Sequence, residues 1–91
     1  MNASLTFEYP AIYTLEPDYF LIEFPDLPID PITLPAEQMQ ESMNIAAQIM
    51  ANYISEALMF NTCLPKSTSL EDLILKKNQK GIMIQITEKT H

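Results

Sequence analysis

Proline placement constrains this chain more than any other feature. Six of its seven prolines fall within the first 35 residues, at Pro10, Pro17, Pro25, Pro28, Pro31 and Pro35, and the seventh is Pro65. Each removes a backbone donor and fixes φ, so a dense run forbids a long helix or a central strand. From Pro25 to Pro35 at most a short edge strand fits, around Ile32-Thr33. From Ala36 to about Phe60 there is no proline or glycine, and Ala, Met, Gln and Glu dominate. That composition predicts one long helix with Pro35 at its first position and Glu37 and Glu41 at the positive end of its dipole. Met39, Met43, Ala46, Met50, Tyr53 or Ile54, and Ala57 recur at helical spacing, widened by Ala47 and Leu58, and form the expected core stripe, with an adaptable binding groove of Met39, Met43, Met50 and Met59 as the alternative. At 1.5 Å per residue the helix would span roughly 35 Å.

The flanking segments read as strands. Leu5, Phe7 and Tyr9 alternate with polar neighbours, and Ala11-Ile12-Tyr13 continues past Pro10, which marks the start of the strand proper or a bulge. Glu16-Pro17-Asp18 is a turn. Tyr19 to Phe24 places Phe20, Ile22 and Phe24 on one face, so the two segments form an antiparallel hairpin. Between Ser67 and Leu75 a short second helix is expected, with Ser69 and Asp72 in capping-box spacing and Lys76 and Lys77 at its end. After a turn at Asn78–Gly81, Ile82 to Thr87 is the last strand, with three isoleucines on one face. A helix before that strand allows it to run parallel to an earlier one through a right-handed crossover. The charged tail Glu88–His91 is expected to fray. The expected architecture is an α+β two-layer sandwich: a three- to four-stranded sheet covered by one long helix and a short second one, in a single domain spanning residues 1–91.

Composition narrows the function. Gly81 is the only glycine, which removes the glycine-dependent phosphate cradles. Cys63 is the only cysteine, so no internal disulfide can form, and its expected place is a small buried hydrophobe. No cationic leader or long apolar run occurs, which makes the cytoplasm the expected location and gives no expectation of membrane contact. The net charge is −7, with twelve acids against five lysines and no arginine. That sign repels phosphate backbones and attracts basic partners, so no direct nucleic-acid contact is expected.

Little catalytic equipment is present. The only histidine is the terminal His91, so Ser-His or Cys-His chemistry has no base in a structured place. Two-metal nucleases need acids at mid-strand. Here Glu8, Glu16 and Glu88 read as lying toward strand ends, and Glu37 and Glu41 lie on the first helical turns. These residues predict a chain with no catalytic site, metal or cofactor. The lysines at 66, 76, 77 and 80 form a small basic patch best read as a solvated helix end.

From Tyr9 to about Leu75 the sequence resembles the HicB family of antitoxins, partners of the HicA messenger-RNA-cutting toxins. The residues that carry the resemblance are Tyr9-Pro10-Ala11-Ile12-Tyr13, Tyr19 to Phe24, and the corner Phe24-Pro25-Asp26-Leu27-Pro28, followed by a long Ala- and Glu-rich helix and the exit Leu64-Pro65-Lys66-Ser67. After the corner the chain departs from the family, with Ile29-Asp30-Pro31 and Thr33-Leu34-Pro35 in place of its usual glycine-containing continuation. The resemblance implies a partial RNase H-like fold without catalytic acids. It also implies a partner, a small basic ribonuclease toxin, while the DNA-binding tail domain that many family members carry is not expected here. The acids expected to meet that toxin are Asp18, Asp26, Asp30, Glu37 and Glu41, and self-association into a homo-oligomer is expected. Two other readings are a phage-derived regulatory or protein-interaction domain without a toxin, and a divalent-metal nuclease.

Overall fold

The computed structural model describes residues 3–90. Its elements are strands β1 (Ala3–Leu15), β2 (Tyr19–Glu23) and β3 (Ile32–Pro35), helix α1 (Ser42–Met59) and strand β4 (Gln79–Thr90). Single 3-10 turns occur at Ala36–Gln38 and Leu70–Asp72. The strands form one antiparallel sheet in the order β3-β2-β1-β4, packed against α1.

The register places one apolar set on the helix side. Tyr13 stands opposite Ile22 and Leu15 opposite Phe20, Tyr9 opposite Ile84 and Phe7 opposite Ile86, and Phe20 opposite Leu34. Because side chains alternate along a strand, these residues share a face. Against them α1 buries Ser42, Ala46, Met50, Ile54 and Ala57. Tyr13 and Phe20 stack with ring centroids 5.8 Å apart, an arrangement worth about 0.5–1.5 kcal/mol beyond area burial. Ser42 is the buried polar member of the helix row. Its hydroxyl donates to the Met39 carbonyl at 2.7 Å and lies 2.9 Å from the Tyr13 hydroxyl, which donates in turn, so neither oxygen is left unpaired.

Several elements differ from the sequence expectation. The Pro10 break is absent: β1 runs through it, with Pro10 buried opposite Met83. The β2 pairing ends at Ile12–Glu23, so Pro10 has a strand on one side only, where a missing donor is tolerated. The helix begins at Ser42, not Ala36, and its 18 residues span about 27 Å. Met39 therefore precedes the helix, while Met43 and Met59 lie off the buried row; all three are exposed, and Met50 alone of that set is core. Leu58 is also exposed.

The second helix is only the 3-10 turn, in which the Ser69 hydroxyl bonds the Asp72 carboxylate at 2.9 Å rather than a backbone group. Cys63 is exposed, not buried, because it lies in the irregular chain just past α1. The last strand begins earlier and ends later than expected, so Glu88 and Lys89 are paired strand residues opposite Leu5 and Ser4. His91, the end of the tail expected to fray, lies outside the described residues.

The largest correction is direction: β4 is antiparallel to β1, not parallel. The connection after α1 supplies the reason. Helix α1 starts beside Tyr13 and reaches Glu88 through a 3.1 Å bond from Ser55, so it runs the same way as β4. The chain must therefore return before β4 begins. The Tyr9 hydroxyl donates to the Pro65 carbonyl, Thr68 bonds Asp26, and the Leu15 amide donates to the Asn78 carbonyl at 2.8 Å. That return carries the chain to the other face of the sheet. A Cβ on Gly81 would lie 2.8 Å from Leu73 and 3.4 Å from Leu70, so glycine there lets the leucines approach the strand.

The turn into the return is a Schellman motif. Asn61 adopts φ 55°, the Thr62 amide donates to the Ala57 carbonyl at 2.8 Å, and the Asn61 amide donates to that of Leu58 at 3.3 Å.

Burial raises the Tyr9 hydroxyl above the ordinary tyrosine pKa, and the nearby charges of Asp26 and Tyr53 add to the shift. A raised folded pKa means the native state holds this proton more tightly than the unfolded chain. The resulting stability is complete below the ordinary tyrosine value and is lost as pH rises through the folded one. Urea melts at rising alkaline pH should show a steeper stability loss for the native chain than for Tyr9→Phe. Equal slopes would contradict that linkage.

Candidate partner-binding surface

The five acids fall into two groups. Asp18 occupies the β1–β2 turn, and its carbonyl accepts the Ala36 amide at 3.1 Å, which brings Glu37 to the same end of the sheet. Glu41 immediately precedes Ser42, which is anchored on Tyr13, so it belongs to this end as well. Asp26 and Asp30 lie in the β2–β3 connection, at the other end of a five-residue strand about 17 Å long.

Their environments differ more than their positions. Asp26 is half-buried, and its carboxylate accepts two 2.7 Å bonds from Thr68, one from the backbone amide and one from the hydroxyl. It thus clamps the Phe24–Pro28 corner to the return segment, while Phe24 and Leu27 bury their side chains in the core. Asp18, Asp30, Glu37 and Glu41 are exposed, and none makes a side-chain hydrogen bond among the described residues.

At the same end of the sheet as the first group lies a cleft of about 310 Å³ lined by Tyr13, Leu15, Met39, Ser42, Met43, Lys80 and Ile82. The cleft opens where α1 starts over the end of the sheet. Its exposed methionines are adaptable apolar contacts, and Glu37 and Glu41 flank Met39 in sequence. Sequence reading favoured the core for Met39 and Met43 over a methionine binding groove, whereas both are exposed here. The signal available was the spacing of Ser42, Ala46, Met50 and Ile54, which places the buried row one residue away from Met43.

The lysines do not form one patch. Lys66 follows Pro65 near Tyr9, whereas Lys80 stands opposite Tyr13 and Lys76 turns back to Gln79, with the backbone bond at 3.0 Å. Glu8, expected toward a strand end, lies within β1 opposite Gln85 because the strand is longer than predicted. Among the described residues no three of His, Cys, Asp and Glu come together at metal-binding distances. No described helix is long and apolar enough to cross a membrane.

No protein-family model matches the sequence, and no curated protein is significantly similar to it.

Proposed function

We propose that this chain is a HicB-like antitoxin domain that binds a small basic ribonuclease of the HicA type and covers its RNA-binding surface. The observation that carries the reading is the methionine cleft at the start of α1, at the same end of the sheet as the exposed acids Asp18, Glu37 and Glu41. An apolar centre with a charged rim is the anatomy of a protein interface. Acids without internal partners are free to oppose lysines and arginines that would otherwise hold phosphates. Asp30 extends the acidic field at the opposite end of β2, and the net charge of −7 adds long-range attraction toward a cationic partner.

The element order β-β-β-α-β and the placement of the two motifs support the family resemblance. Tyr9-Pro10-Ala11 lies buried at the centre of β1, and the Phe24–Pro28 corner ends in the Asp26 clamp. Both motifs hold the fold together rather than contact a partner. The antiparallel β4 departs from the crossover expected of a partial RNase H-like core, so that assignment rests on the strand order and the placement of the helix.

Inhibition is the test. The basic protein encoded beside this chain should cleave RNA alone and stop cleaving when the chain is added in stoichiometric amount. Undiminished cleavage with no complex on a sizing column would refute the antitoxin reading.

A further inference from the structure

The two edges of the sheet are built differently. β3 is four residues long, preceded by Pro31 and ended by Pro35, so its outer side offers little to another strand. β4 is twelve residues long, occupies the opposite edge, and carries no charge from Ile82 to Thr87. A long uncharged edge of this kind is an aggregation hazard unless something covers it.

We propose that the occupant is a second copy of this chain, paired β4 to β4 in antiparallel register about a two-fold axis through Ile84. A two-fold normal to the sheet keeps the helix face on one side, so paired residues must have the same parity. Among those registers, centring on Ile84 sets Lys80 opposite Glu88 at both ends and Ile82 opposite Ile86 between them. Shifting the centre by one residue, to Met83 or Gln85, sets Lys80 opposite Ile86 or Ile82 opposite Glu88. The sequence from Lys80 to Glu88 is therefore self-complementary in charge and in apolar character.

The helix agrees with this geometry. Met43, Ala47, Ala51 and Ser55 form an i, i+4 row that runs along β4, since Met43 shares the cleft with Lys80 and Ile82 and Ser55 bonds Glu88. The two alanines at its middle give room for the partner's helix across the seam, and the exposed Met43 and Leu58 at its ends supply apolar contact beyond backbone pairing. The result is an eight-stranded sheet with both helices on one face. This assembly does not rest on the antitoxin reading, and because Met43 and Lys80 also line the cleft, a toxin seated there would lie against the dimer seam.

The test is the oligomeric state of the full chain by sedimentation equilibrium, with circular dichroism and melts to confirm folding. A dimer is expected for the native chain. Lys80→Glu should weaken dimerisation at least tenfold by setting like charges opposite one another, as should Glu88→Lys. The double variant should recover most of the native affinity, because the exchanged pair is again complementary. A native chain that stays monomeric at high micromolar concentration would overturn the proposal. A dimer indifferent to both single reversals, or double reversal without recovery, would overturn the register and with it the β4 interface.

Discussion

Ile84→Asp should abolish cooperative unfolding. Ile84 is 1% exposed, stands opposite Tyr9 at the centre of the β1–β4 ladder, and belongs to the same buried cluster as Met50 and Ile54. The substitution removes about 3 kcal/mol of apolar burial and places a carboxyl where no polar group is available, at a further cost of several kcal/mol. A domain of this length is held by roughly 5–10 kcal/mol in all. Thermal melts by circular dichroism should show a sloping loss of signal instead of a transition. Ile84→Val, which keeps the shape and loses one methylene, should cost only about 1 kcal/mol and keep the transition. A folded, cooperative Ile84→Asp would contradict the position of β4 in the sheet.

The second large effect concerns a residue whose sequence context suggested a partner contact. Asp26→Ala should lower stability by about 2–3 kcal/mol, because two charge-assisted bonds to Thr68 are lost. The damage should concentrate in the return segment, since this clamp is one of the few ties between residues 62–78 and the rest of the fold. Limited proteolysis should cut that stretch faster in the variant, while the hydrogen-exchange protection of α1 and of the β1–β4 ladder changes much less. A variant as stable and as protease-resistant as the native chain would contradict the clamp.

How much of this was legible in the sequence follows from the range of the forces involved. The hairpin, the short edge strand near Ile32-Thr33 and the isoleucine face of β4 were readable because alternation and proline placement act locally. The direction of β4 was not, because it depends on where the segment after α1 travels. Nothing local distinguishes a short helix over Ser67–Leu75 from an extended return that lays Leu70 and Leu73 against Gly81. The start of α1 was misplaced because Ala36-Glu37-Gln38 has good helix propensity, while the anchoring event, Ser42 against Tyr13, joins residues 29 apart. Of the five acids expected to meet a partner, Glu37 and Glu41 precede α1 instead of lying on its first turns, and only three-dimensional contacts separate Asp26, which clamps the fold, from Asp18, Asp30, Glu37 and Glu41, which are exposed. Exposed methionines beside a buried row one position away are equally invisible to a pattern that counts apolar residues without the sheet.

On the proposed function the outward-facing acids bind the toxin while Asp26 and the two motifs hold the fold. The most direct measurement is the affinity for the basic ribonuclease at two salt concentrations, for the native chain and a variant carrying Asp18→Asn, Asp30→Asn, Glu37→Gln and Glu41→Gln. Removing four negative charges takes the net charge from −7 to −3. Folding should be nearly untouched, because exposed charges contribute only about 0–1 kcal/mol each. A loss of affinity of about 10- to 100-fold at low salt and a flattened salt dependence are expected. A folded variant with native affinity and native salt dependence would contradict that assignment of roles.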